Sequence, residues 1–273
     1  MLQALRLSVG MLTILPTAKT PGAAENRDTT RRAMLLAPVV GLLIGLASAL
    51  VLIVSRIALG FTGGDPELEP ETSAPVALAA SVIAVAAMHW ITGALRVSSL
   101  VDTAGAAPRC QQSTESPRIA RGLAAAAAGA TVVMALMLVQ VTTLAVSVSE
   151  GHGTLAVVTA AVAGRVAMVW VARRPPARGD ELAGRVAGHV SAARAAAITA
   201  ASLIVPIGLL ALDDDPVRIF AVFAILAIPL AVLVTTIQAD RWADSLGGTT
   251  QGILATSVEI GTTVALIAVA LAA

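Results

Sequence analysis

Four places along the 273-residue chain bring together residue types that could do chemistry. In the stretch from Thr92 to Ala106, Ser98 and Asp102 stand four residues apart and Gly105 three further on. On a continuing helix Ser98 and Asp102 share a face, a hydroxyl beside a carboxylate. A helix end with one solvated aspartate has the same pattern. Arg165 and Glu259 are charges within apolar runs, where burial in a bilayer costs ~2.5–3.5 kcal/mol, so each should face other helices or reach for the interface; they are functional candidates or a structural ion pair. Gly247-Gly248 ahead of Thr249-Thr250 could cup a phosphate on backbone N–H groups where a helix begins, or be a flexible turn. His89, beside Trp90, reads as an interfacial side chain, because no second His or Cys lies at helical ligand spacing.

The elements that must hold these residues follow from composition. Hydrophobic residues make up 57% of the chain and charged residues 13%, against about 25% charged in an ordinary soluble domain. Three Phe, three Trp and no Tyr leave an aliphatic apolar mass. A net charge of +1 gives no field for nucleic acid, and the single cysteine, Cys110, closes no internal disulfide. The expectation is an all-α integral membrane protein, one polytopic domain over 1–273. Seven apolar runs are long enough to cross ~30 Å of hydrocarbon: Ala33–Ser55, Pro75–Leu95, Gly122–Ser149, Thr154–Val171, Ala195–Leu212, Ile219–Gln238 and Ile253–Ala272.

Fifteen Lys and Arg residues fall on one side of that threading, while the other carries only Arg56 and Arg218 but holds Asp65, Glu67, Glu69, Glu71, Glu150 and Asp213 to Asp215. The positive-inside rule then predicts a multi-pass cell-membrane protein with its N-terminus in the cytoplasm and its C-terminus outside. Met1 to Leu15 is apolar with one Arg and reads as a short interfacial helix rather than a cleaved signal. The loops after the second, fourth and sixth spans then share one face, so the candidate residues on them can converge.

Several segments resemble one family, adenosylcobinamide-GDP ribazoletransferase or cobalamin synthase, and the resemblance covers almost the whole chain. Leu12-Thr13-Ile14-Leu15-Pro16-Thr17 is similar to its opening segment, and Arg32 followed by Leu36-Ala37-Pro38-Val39-Val40-Gly41-Leu42-Leu43-Ile44-Gly45 to its first span. Thr92–Ala106 falls on the signature T-G-x-x-H-L-D-G-L-A-D-T-x-D-G, Ala163-Gly164-Arg165 on its A-G-R, and Gly247–Gly252 with Glu259-Ile260 on its G-G-x-T-G-D and I-E-L segments. Thr92, Gly93, Leu100, Asp102 and Thr103 match the signature. Arg96 replaces its His, Ser98 and Gly105 replace two of its three Asp, Gly252 stands at a later Asp, and Ala120-Arg121-Gly122 keeps the Arg of its M-R-D but not the carboxylate.

The resemblance implies a Mg²⁺-dependent transferase of cobalamin biosynthesis that joins a GDP-activated corrinoid to α-ribazole, or its phosphate, with release of GMP. It implies catalytic roles for Asp102, Arg121, Arg165 and Glu259, and substrate binding by Thr92, Gly93, Arg96, Ser98, Thr103, Gly247, Gly248 and Thr250. The family's three carboxylates at i, i+4, i+7 would form one acidic face for the ion. Only Asp102 of that face is present here, so Asp102 is the one metal ligand expected, helped by a hydroxyl such as Ser98 and by substrate phosphates. Arg96 and Arg121 suit a pyrophosphate, or equally anionic lipid. The lipid bilayer is an expected partner and nucleic acid is not; a homo-oligomer or an assembly with other cobalamin-pathway proteins stays open. A non-catalytic membrane scaffold and a small transporter are the competing functions.

Overall fold

The computed structural model describes residues 2–15, 27–61, 73–93, 118–212 and 218–272. Every named element among them is a helix: α1 (Leu2–Leu12), α2 (Arg27–Leu35), α3 (Ala37–Phe61), α4 (Ala74–Ile91), α5 (Arg118–Ser149), α6 (Gly153–Val171), α7 (Glu181–Val186), α8 (Ala192–Ser202), α9 (Ile204–Leu210), α10 (Arg218–Leu246) and α11 (Gln251–Ala270). Seven stretches among them are long and apolar enough to cross a membrane, with α8 and α9 forming one of the seven together. The chain is thus a multi-pass helical membrane protein.

The bundle is built around α6. All its residues except Thr154 and Trp170 are buried, and α3, α10 and α11 pack along it. Its Ala, Gly and Val side chains explain this position, because small side chains let helix backbones approach where lipid supplies no hydrophobic drive between helices. A Cβ on Gly164 would stand 2.5 Å from the Val258 carbonyl oxygen of α11. On the opposite flank a Cβ on Gly41 of α3 would stand 2.8 Å from the Ala161 oxygen, and one on Gly45 would stand 2.9 Å from the Val158 Cα. The glycines of the segments Pro38–Gly45 and Ala163–Arg165 are therefore the contact points of the three innermost helices. Outward, Leu43, Leu46, Leu50 and Ile53 of α3 and Leu226, Leu230 and Leu233 of α10 are exposed, an apolar exterior suited to acyl chains.

The helices depart from the apolar runs where polar residues keep a helix going or a proline disturbs it. The first span begins at Ala37 rather than Ala33, with α2 packed separately ahead of it; Pro38 sits in the first turn of α3, where a missing N–H is tolerated. The fifth is divided at Leu203, three residues before Pro206. The sixth continues beyond Gln238 to Leu246, carrying Asp240, Arg241 and Asp244 past the apolar run. The N-terminal segment forms α1 as expected; α1 packs on α2 and α3, and the Ile14 N–H donates to the Ile91 carbonyl at 3.0 Å.

Candidate active site

The loops after α6 and α10 close together over the end of the bundle where α4 and α6 finish and α11 begins. This end carries Arg173, Arg174 and Arg241 and is called the basic end below. Arg174 pairs with Asp240, and the Arg173 guanidinium lies 4.7 Å from the Trp170 ring centroid. The Trp170 indole N–H donates to Thr199 Oγ1 at 2.8 Å, tying α6 to α8.

The Gly247–Gln251 turn is threaded into this cap. Gly247 and Gly248 have φ of 73° and 139°, and a Cβ on Gly248 would collide with the backbone of Pro176 and Ala177. Only glycine permits both the conformation and the approach. The Gly248 N–H donates to Ala243 O, the Thr249 N–H to Pro175 O, and the Ala177 N–H to Thr249 O, at 2.8–2.9 Å. Asp180 completes the clamp: Oδ1 accepts from the Ala183 N–H and Oδ2 from the Gln251 N–H, both at 2.8 Å. Thr250 is the N-cap of α11, its hydroxyl accepting from the Ile253 N–H at 3.2 Å. The phosphate nest expected at Gly247-Gly248 is therefore corrected in this respect: the N–H groups of Gly248, Thr249, Gln251 and Ile253 bind the chain itself. Asp180 was missed in the sequence, although an Asp directly ahead of Glu181-Leu182-Ala183 is a helix-start signal.

Behind the cap, α4, α5 and α11 share a buried polar cluster. Gln140 donates from Nε2 to Thr263 Oγ1 at 2.9 Å and to Glu259 Oε2 at 3.3 Å, and its Oε1 lies 3.1 Å from His89 Nε2. The Thr263 hydroxyl donates to the Glu259 carbonyl at 2.8 Å. His89 Nδ1 stands 3.8 Å from Glu259 Oε2. Since the Gln140 oxygen can only accept, His89 Nε2 carries a proton in this arrangement. Two expectations are corrected here. His89 is buried and faces α5 and α11 rather than an interface. Among the described residues the Glu259 carboxylate accepts from Gln140 rather than pairing with Arg165, with His89 Nδ1 3.8 Å away. Arg165, buried, donates from Nη1 to the Ala161 carbonyl at 3.0 Å, and its Cδ lies against Gly41. Gln140 was missed because an uncharged amide hardly interrupts an apolar run.

The signature segment enters this region from α4. The helix ends at Ile91, the Thr92 hydroxyl donates to the His89 carbonyl at 3.0 Å, and Gly93 takes φ 77°. A left-handed glycine just past the last turn is a helix stop, so the second span does not run on through Thr92 and Gly93 as one helix. Arg96, Ser98, Asp102, Thr103 and Gly105 lie outside the described residues. Arg121 lies in the first turn of α5, its side chain outside the described set. Among the described residues no group of three or more His, Cys, Asp or Glu could hold a metal ion.

Fold and site together define a polytopic helical membrane protein with its loops interlocked over one end and a buried carboxylate network behind them. A family model described as cobalamin-5-phosphate synthase matches residues 4–270, and the chain belongs to that family. It is 30% identical over 275 aligned residues to an adenosylcobinamide-GDP ribazoletransferase of Frankia casuarinae, covering 97% of this chain and 94% of the relative. A protein of the same name from a Nocardioides species is 40% identical over 90 residues, 33% of this chain and 35% of the relative. No solved structure matches the chain.

Proposed function

We propose that the protein is an adenosylcobinamide-GDP ribazoletransferase acting at the basic end of the bundle, on the cytoplasmic side of the cell membrane. The observation that carries the reading is the family match over residues 4–270. The meeting of Thr92, Pro175–Asp180 and Thr249–Gln251 at one end supports it, and the excess of Arg there supports the cytoplasmic placement.

In the proposed reaction a ribazole hydroxyl oxygen attacks the phosphorus nearer the corrinoid. The bond from that phosphorus to the bridging oxygen breaks, GMP leaves with that oxygen, and the hydroxyl proton passes to water. Such transfers rest on positioning and charge neutralisation. Asp102 would hold Mg²⁺ jointly with the pyrophosphate; the ion supplies charge neutralisation when bound. Arg96 and Arg121 would bind the remaining phosphate oxygens, with Ser98, Thr103, Thr92 and Gly93 completing the substrate contacts. Gly247, Gly248 and Thr250 would serve by fixing the start of α11. Arg165 and Glu259 would hold the inner wall, Arg165 against α3 and Glu259 through Gln140 and His89.

The replacement of two signature carboxylates by Ser98 and Gly105 favours one other reading, a non-catalytic scaffold. Purified protein in nanodiscs with adenosylcobinamide-GDP, α-ribazole and Mg²⁺ should release GMP and form the joined corrinoid. No product, where a relative with the intact carboxylate triad turns over, would establish the scaffold.

A further inference from the structure

The basic end contains a cavity of about 170 Å³ roofed by α1. Its wall is mostly apolar, with Met11 from α1, Met34 from α2, Met168 from α6, Val186 from α7 and Leu254 from α11. None of its described lining residues is charged. Three segments that carry the family resemblance contribute to it: Leu12-Thr13, Thr92 and Gln251. Ser8, also in the wall, is 2% exposed, and its hydroxyl has no hydrogen-bond partner among the described residues.

We infer that this cavity binds the heteroaromatic base of the ribazole substrate, with the Ser8 hydroxyl donating to the free ring nitrogen. The inference rests on the proposed transferase reading and assigns the second substrate its place within that site. Size excludes the other candidates within the reaction: pockets for drug-sized ligands occupy ~300–1,000 Å³, so the corrinoid and a whole nucleotide do not fit. Charge disfavours the pyrophosphate, which would find no cation among the described lining residues.

Polarity separates the two bases. Guanine brings several donors and acceptors; of the wall's described polar side chains Ser8, Thr13, Thr30, Thr92 and Gln251, Thr13 and Thr92 already donate to backbone carbonyls, so much of a guanine edge would go unmet, which is costly. A fused benzenoid base attached to its sugar through one ring nitrogen offers flat apolar faces and one acceptor, the other ring nitrogen. One unmet buried donor, Ser8 Oγ, matches that single acceptor. The methionines suit flat ligands, because a flexible thioether adapts to a ring and makes favourable sulfur–aromatic contacts. Thr92, the first residue of the signature segment, is part of the wall.

The test separates this inference from the transferase reading by measuring α-ribazole binding directly, through its fluorescence in nanodiscs, as well as turnover. Ala183→Leu and Ala255→Leu each fill the cavity and should raise the Kd for α-ribazole at least about tenfold. Ser8→Ala, which removes one oxygen and threatens folding least, should raise it about 3- to 10-fold. Where the protein turns over, the KM for α-ribazole should rise likewise while that for adenosylcobinamide-GDP stays unchanged. If the variants lose α-ribazole binding but wild type makes no product, the cavity assignment stands and the transferase reading falls. If wild type turns over and all three variants keep wild-type affinity for α-ribazole, or lose affinity for GDP instead, the assignment is overturned. Wild type that binds no α-ribazole, its cavity filled by lipid, overturns it too.

Discussion

Asp180 accepts the Gln251 N–H at 2.8 Å across 71 residues of sequence while capping its own helix through the Ala183 N–H. One carboxylate thus fixes where α7 and α11 begin, and a negative charge at two helix N-termini is well placed against both macrodipoles.

Replacing Asp180 should therefore loosen the basic end specifically. Asp180→Ala removes the α7 cap and the bond to the Gln251 N–H together, and should lower stability by about 1–2 kcal/mol or more, since a single cap is worth ~0.5–2 kcal/mol. Asp180→Asn retains one acceptor oxygen, so it can keep one contact and should lose about half as much. Thermal unfolding in detergent measures the difference; equal stabilities of the two variants would show that the second contact contributes nothing.

At the crossing of α6 and α11, Gly164→Ala should be destabilising by about 1–3 kcal/mol through overpacking. The added Cβ meets the Val258 carbonyl and the Thr262 hydroxyl. Thr262→Ala in the same chain should restore only part of the loss, because the backbone oxygen cannot be removed. Gly184→Ala is the control: nothing stands within 4 Å of its Cβ, so it should be neutral or slightly stabilising. Denaturant titration of the three variants gives the ranking.

The spans were legible because an uninterrupted apolar run of membrane length has few alternatives, and the positions of Lys and Arg gave their alternation. Less visible were features in which polar residues stay helical or apolar ones do not. Asp240 to Leu246 continues α10 after the hydropathy ends, and Pro206 lies just beyond the break at Leu203 in an otherwise apolar run. The candidate residues were named from charge and resemblance, so Arg165 and Glu259 were found, but their partners were not. Glu259 meets Gln140 across 119 residues and His89 across 170, and nothing local to any of the three announces it. The glycines of the resembling segments were read for phosphate chemistry at Gly247-Gly248, whereas backbone approach to Pro176 and Ala177 is what requires Gly248.

The Gln140 cluster predicts coupling. Gln140→Leu leaves the Glu259 carboxylate and His89 Nε2 short of a partner in a buried place, which should cost about 1–3 kcal/mol. Glu259→Gln alone removes the charge while keeping the shape. If the network is one unit, the double variant should be less destabilised than the two single losses added together, by more than ~0.5 kcal/mol. A double-mutant cycle by denaturant titration reads this directly, and strict additivity would dissolve the cluster into separate contacts.

The central claim is that Asp102 and the pyrophosphate hold Mg²⁺ together, and the most direct measurement is the affinity for adenosylcobinamide-GDP with and without Mg²⁺. In wild type, Mg²⁺ should tighten substrate binding, and substrate should tighten Mg²⁺ binding by the same factor. Asp102→Asn should abolish that mutual effect with the unfolding temperature unchanged, and Ser98→Asp with Gly105→Asp should strengthen Mg²⁺ binding without substrate. Asp102→Asn that leaves the Mg²⁺ effect on substrate affinity intact would contradict the account.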